Sequence, residues 1–137
     1  MVMDINPNHQ KILIKDVGNM YKIKLAGIYM ISNINTGEYY IGMSVDIFSR
    51  WQSHYSDLKM NKHSSKKLQE LFNNSKITDF RFEVLSYISK TDIKNKFNVK
   101  GKQLDVLMRR ILLQEEKNLM NKYSRTYSLN QNNKHFS

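Results

Sequence analysis

The chain has 137 residues and no cysteine, and 22 lysine and arginine residues against 12 acidic ones give it a formal net charge of +10. This length fits one domain, and the lack of cysteine excludes a disulfide framework and a thiolate zinc site. The apolar runs are far shorter than a membrane helix and the N-terminus lacks a secretion pattern, so we expect a cytoplasmic protein without a membrane partner. The positive charge favours a polyanionic partner, with nucleic acid as the first candidate.

The N-terminal 25 residues are predicted to be an extension of a domain that spans residues 26–137. Residues 1–10 show no regular pattern, and we expect an irregular lead-in. Short segments in which apolar and polar residues alternate lie on either side of Gly18-Asn19, and they favour an extra hairpin.

The strongest hairpin signal follows. Two apolar runs, residues 26–34 and 38–44, flank Asn35-Thr36-Gly37 and predict two antiparallel strands. A turn centred between residues 35 and 36 places Tyr40 opposite Ile31 and makes Tyr29 its diagonal neighbour, so that both phenols point to one face. A three-residue loop with a bulge would change this parity.

Two helices come next in the predicted order. Asp46 can cap a helix that runs to about Leu58, and Ser64 or Ser65 can cap a second one that ends at Asn73-Asn74. The first helix has an apolar stripe of Ile47, Trp51, Tyr55 and Leu58, and the second turns Leu68, Leu71 and Phe72 inward.

The rest of the chain completes an α+β domain. Alternation of Phe80, Phe82 and Val84 predicts a third strand. The basic stretch after it is expected to be an exposed excursion, and residues 103–123 are predicted to form a long helix. The tail is expected to be irregular, with Leu129 tucked in. The predicted fold is a small three-stranded antiparallel β-sheet flanked by helices.

Polar residues in these elements are the candidates for chemistry. Arg50 and His54, four residues apart, share one side of their helix beside the apolar stripe, at the expected boundary between core and solvent. Glu116 has leucine or methionine at positions −4, −3, +3 and +4, so its carboxylate needs a compensating cation. Glu115 is the rival position, but Asn118 stands at its +3 position.

These residues together resemble a known family. Gly27-Ile28-Tyr29 is followed, after ten further residues, by Tyr40-Ile41-Gly42. With the later Arg50, His54, Glu116 and Asn130, these residues follow the order found in the GIY-YIG nuclease superfamily. The resemblance extends from about residue 26 to 130. Its nearest pattern is that of intron-encoded or free-standing, phage-type homing endonucleases.

The resemblance implies hydrolysis of DNA phosphodiester bonds with one Mg²⁺ or Mn²⁺ ion and no other cofactor. Glu116 would hold the metal, Arg50 the phosphate, and Tyr29 or His54 would activate the water. Tyr40 would bind the phosphate or the water, and Asn130 would tie the tail to the hydrogen-bond network. Restriction, repair or structure-specific nucleases of the same fold, and a catalytically inactive DNA-binding module, are the alternatives.

A basic cluster around the second predicted helix and its approach is expected to contact the DNA backbone, and an ordinary solvated surface is the alternative. Its members are Lys59, Lys62, His63, Lys66 and Lys67. In the family's homing enzymes a histidine occupies a position that matches His63. A second group of lysines lies in the predicted excursion, between residues 90 and 102.

Overall fold

The computed structural model describes residues 2–3, 11–13, 24–123 and 125–130. The strands are β1 (Val2–Met3), β2 (Lys11–Leu13), β3 (Ala26–Asn33), β4 (Tyr39–Ser44) and β5 (Phe80–Ile88). The helices are α1 (Ile47–Lys59), α2 (Lys66–Asn73), α3 (Lys90–Phe97) and α4 (Gly101–Met120), with short 3₁₀ turns at Ile77–Asp79 and Arg125–Tyr127.

The central sheet has the predicted three antiparallel strands, with β3 between β4 and β5. Two short N-terminal strands, β1 and β2, add to the outer edge of β5. Residues 2–3 therefore form a strand where an irregular lead-in was predicted. The hairpin predicted at Gly18-Asn19 lies outside the described residues.

The register of the β3–β4 hairpin matches the prediction. Ile31 pairs with Tyr40, and Tyr29 pairs with Gly42. Between β3 and β5 the register shifts by one residue after Ile28, which forms a bulge in β5 at Leu85. Gly27 lies beside this bulge, where a Cβ atom would overlap the carbonyl oxygen of Ser86.

Each face of the sheet carries a hydrophobic core. On one face α1 and α2 cover the alternating side chains of β5 that were predicted to point inward, and Trp51, Leu68 and Phe82 are almost fully buried there. On the other face α3 and α4 cover a second cluster centred on Leu85 and Met108. Successive side chains along each strand thus alternate between the two helical layers.

The predicted caps explain where α1 and α2 begin. The Asp46 carboxylate accepts a hydrogen bond from Ser49 N at the start of α1, and Ser65 Oγ accepts one from Leu68 N at the start of α2. In the part of the chain that the structure describes, no helix is long and apolar enough to cross a membrane.

The stretch after β5 is mostly exposed, as predicted, but it is not irregular, because a helix, α3, occupies Lys90–Phe97. Ser89 caps α3, Ile93 is completely buried, and Asn98 ends the helix in a left-handed conformation. Helix α4 begins at Gly101 and ends at Met120, slightly earlier at both ends than predicted.

Candidate active site

The two tyrosines of the hairpin lie on the same face of the sheet, as predicted. Both rings contact the His54 ring, with centroid distances of 5.7 Å from Tyr29 and 5.4 Å from Tyr40. Tyr29 extends across Gly42 of the edge strand β4, and a Cβ atom at position 42 would overlap its hydroxyl. The absence of a side chain at Gly42 therefore allows the Tyr29 hydroxyl to reach the sheet edge.

Helix α1 contributes Arg50 and His54. Arg50 is exposed, but His54 is only 1% exposed, more deeply buried than the boundary position predicted. His54 Nε2 lies 2.6 Å from Tyr29 Oη, and His54 Nδ1 lies 2.6 Å from His63 Nε2. Both ring nitrogens of His54 are therefore engaged by protein groups.

His63 does not lie on the surface with the neighbouring lysines. It is 8% exposed, and its Nδ1 accepts a hydrogen bond from Ser65 N at 2.9 Å. Its own backbone N–H donates to Gln69 Oε1 at 3.0 Å. Asn61, just after the end of α1, has a positive φ of 56°, and the turn that follows brings His63 beside His54.

The carboxylate comes from α4, on the other side of the sheet. Glu116 is 2% exposed, whereas Glu115 is half-buried, so the residue preferred from the sequence is the buried one. Glu116 acts electrostatically on the phenols of both Tyr29 and Tyr40. The site therefore lies at the β4 edge, where groups from both helical layers meet.

Burial controls the protonation of these groups. It raises the pKa of Tyr29, with further increases from Tyr40 and Glu116 and an opposing effect from Arg50. Burial also raises the pKa of Tyr40. It lowers the pKa of His54 to about 3, helped by Arg50 and His63. At neutral pH the phenols are protonated and the imidazole of His54 is neutral.

Asn130 supports the site from behind. Its Oδ1 accepts a hydrogen bond from Ile41 N at 3.0 Å, and its Nδ2 donates to Ile41 O at 2.7 Å. Leu129 N donates to Tyr39 O at 2.7 Å, so the tail holds the outer edge of β4 on either side of Tyr40. The structure thus places Asn130 against the backbone of the site, next to Tyr40, with its amide bonded to β4.

The remaining predicted DNA contacts lie on the surface. Lys59, Lys62, Lys66 and Lys67, here called the lysine cluster, are all exposed. Lys59 Nζ lies 4.3 Å above the ring of Tyr55, which holds one charge of the cluster against the protein. The cluster extends from the end of α1 to the start of α2.

The donor set is poor in metal ligands. Within residues 24–123 and 125–130, no three histidine, aspartate or glutamate side chains converge on a position that could hold a metal ion. Glu116 is the carboxylate that shares the site with the phenols and Arg50. Ser65 and Gln69 position His63, but Ser65 was predicted only as a helix cap and Gln69 was not singled out, because both are ordinary features of a helix.

Comparisons with known proteins identify the family and the fold. The family model described as the GIY-YIG catalytic domain matches residues 25–130. The chain is 44% identical over 48 residues to Intron-associated endonuclease 1 of Enterobacteria phage T4, a match that covers 35% of this chain and 20% of that relative.

Two solved structures share the fold. The catalytic domain of homing endonuclease I-TevI superposes with a TM-score of 0.58 at 24% identity, covering 77% of this chain and 97% of that domain. A mutant of the same catalytic domain superposes with a TM-score of 0.57 at 25% identity and covers 77% of this chain and 92% of the other.

Proposed function

Because the chain belongs to the GIY-YIG family, we propose that it is a divalent-metal-dependent endonuclease that hydrolyses phosphodiester bonds of DNA. The convergence of Tyr29, Arg50 and Glu116 from three separate elements carries this proposal, since both charged groups act on the phenol. Hydrolysis at phosphorus needs a positioned water, a donor for the nonbridging oxygens and stabilisation of the leaving oxygen. These three side chains are suited to those tasks.

Arg50 would bind the scissile phosphate. Its guanidinium is planar and exposed on α1, and it can donate two parallel hydrogen bonds to phosphate oxygens. A lysine would offer only a point charge at the same place.

Tyr29, rather than His54, would contact the attacking water. Both His54 nitrogens are within 2.6 Å of protein atoms, so His54 has no nitrogen left to take a proton from the water directly. The Tyr29 oxygen reaches the sheet edge and can hydrogen-bond to the water, with His54 behind it. Tyr40, held by the tail, would hydrogen-bond to the phosphate or the water.

Glu116 would hold the metal. A buried single carboxylate next to two phenols fits a hard cation such as Mg²⁺ or Mn²⁺, which keeps most of its water ligands and needs one or two protein carboxylates. The ion would supply Lewis acidity that stabilises charge on the phosphate and on the leaving 3′ oxygen. Asn130 would keep Tyr40 in register with this site.

Charge and similarity support the proposed substrate and biological type. The net charge of +10 and the exposed lysine cluster support binding to the DNA backbone. Residues 26–137 would form the catalytic domain. Residues 1–25 would be an extension that joins the sheet through β1 and β2. Similarity to a phage intron-associated endonuclease favours a mobile-element or phage-type enzyme over a restriction or repair nuclease.

Cleavage of supercoiled plasmid DNA with Mg²⁺, with Mn²⁺ and with chelator tests the proposal. Glu116→Gln and Arg50→Ala should each lower the rate at least about a hundredfold, whereas Glu115→Gln, a change of the half-exposed neighbour, should leave it nearly unchanged. Normal cutting by both site variants would contradict the assigned roles. Binding to DNA without cleavage under either metal would instead indicate an inactive DNA-binding module.

A further inference from the structure

Three buried hydrogen bonds connect the start of α2 to Tyr29. Ser65 N donates to His63 Nδ1 at 2.9 Å, His63 Nε2 lies 2.6 Å from His54 Nδ1, and His54 Nε2 lies 2.6 Å from Tyr29 Oη. The chain of bonds begins at a backbone amide and ends at the phenol that is proposed to contact the water. Each histidine uses one nitrogen toward each neighbour.

The amide at one end fixes the direction of every bond. A backbone N–H can only donate, so His63 Nδ1 carries a lone pair. Burial lowers the pKa of both histidines, so each ring is neutral at pH 7 and carries one N–H. His63 therefore carries its hydrogen on Nε2 and donates to His54 Nδ1, and His54 carries its own hydrogen on Nε2 and donates to the Tyr29 oxygen.

We propose that the Ser65 amide sets the tautomers of His63 and His54 and thereby turns the hydroxyl hydrogen of Tyr29 toward the substrate. His63 is then a positioning residue that acts through His54, and this inference rests on the proposed nuclease function. With its oxygen accepting from His54, Tyr29 donates its own hydrogen to a phosphate oxygen and keeps a lone pair that can accept from the attacking water. In the reversed order the phenol would donate inward to His54 and face the substrate with lone pairs only.

Gln69 holds the start of this chain in place. Its Oε1 accepts from His63 N, and its Nε2 donates to Leu58 O at 3.0 Å and to Asn73 Oδ1 at 2.9 Å. Helix α2 thus anchors His63 twice, through the Ser65 amide at the ring and through Gln69 at the backbone. The ring cannot rotate to exchange its nitrogens without losing the Ser65 bond.

The tautomers can be read directly by nitrogen-15 NMR of the full chain at pH 7, because protonated and unprotonated imidazole nitrogens resonate far apart. We expect His54 and His63 both to carry hydrogen on Nε2, with the signals assigned by His54→Gln and His63→Gln. Hydrogen on Nδ1 of His54 would overturn the proposal. This measurement needs no cleavage, so it stands or fails apart from the nuclease function.

Two substitutions at Ser65 separate the amide from the side chain. Ser65→Ala and Ser65→Pro both remove the hydroxyl that caps α2 and donates to Leu129 O, but only proline removes the N–H. The φ of Ser65, −85°, is close to the range of proline. We expect Ser65→Ala to keep both tautomers, and Ser65→Pro to lose them and to cleave about 10- to 100-fold more slowly than Ser65→Ala at unchanged DNA affinity.

Circular dichroism of the two variants checks that both fold. Equal cleavage rates and unchanged tautomers in a folded Ser65→Pro variant would overturn the proposal. If the proline variant does not fold, the tautomers of the wild-type chain still decide the question.

Discussion

Gly42→Ala tests whether the open space at the edge strand controls the position of Tyr29. A Cβ atom at this position would overlap Tyr29 Oη and Cζ and would lie 3.0 Å from Cε1. The ring has little freedom to move away. It is 1% exposed, stacks on Phe82 at a centroid distance of 5.5 Å and is hydrogen-bonded to His54.

The size of the effect follows from this overlap. The ring must shift by about 1 Å to restore an ordinary contact, and overpacking of this kind costs about 1–3 kcal/mol of the free energy of unfolding. The same shift breaks the 2.6 Å hydrogen bond between Tyr29 Oη and His54 Nε2 and moves the phenol away from the position where the substrate would react. A displacement of about 1 Å at a catalytic group lowers the rate on the order of a hundredfold.

The assay combines chemical denaturation with single-turnover cleavage of plasmid DNA. Gly37→Ala is the matched control, since Gly37 has a φ of 77° in the hairpin turn and an added methyl there costs about 1–2 kcal/mol without touching Tyr29. We expect Gly42→Ala to lose cleavage and Gly37→Ala to keep it. If both variants cut equally well at similar stability, the argument from the Tyr29 position is refuted.

Two further predictions concern acid stability and salt. His54 stays neutral in the folded protein but has an ordinary pKa in the unfolded chain, so the unfolded state binds more protons below about pH 6.5. The free energy of unfolding should therefore fall as the pH drops from about 6.5 towards 3, by up to about 1.4 kcal/mol per pH unit. His54→Gln should flatten this dependence in denaturant titrations, and identical slopes would contradict it. Changing the lysine cluster to glutamine should weaken DNA binding and make the slope of log affinity against log salt shallower by about 1 for each lysine that contacts a phosphate. An unchanged slope in filter-binding titrations would show that the cluster is only a solvated surface.

Local patterns predicted much of the fold from the sequence. The hairpin register follows from the turn residues and the two-residue period of strands, which is why the pairing of Ile31 with Tyr40 could be worked out by counting. The caps at Asp46 and Ser65 have a clear chemical signature. The preference for Glu116 over Glu115 followed from its four apolar neighbours at helical spacing, and burial agrees with it.

The errors have physical causes too. Helix α3 has a single fully buried residue, Ile93, among lysine, asparagine and threonine, so it shows no apolar stripe. The position of His63 depends on how the chain returns after Asn61, which helical periodicity does not describe. Strands as short as β1 and β2 form only because β5, far along the chain, pairs with them. Segments of two or three residues are too short for a local sequence pattern to predict a strand.

The two outer strands of the sheet also bear on how the protein behaves at high concentration. An uncovered strand edge is a template on which another chain can add a strand and begin an aggregate. Here β1 and β2 pair with the outer side of β5, and Leu129 and Asn130 pair with β4 at Tyr39 and Ile41. The same tail contacts that hold the β4 backbone on either side of Tyr40 therefore also shield the β4 edge from intermolecular pairing.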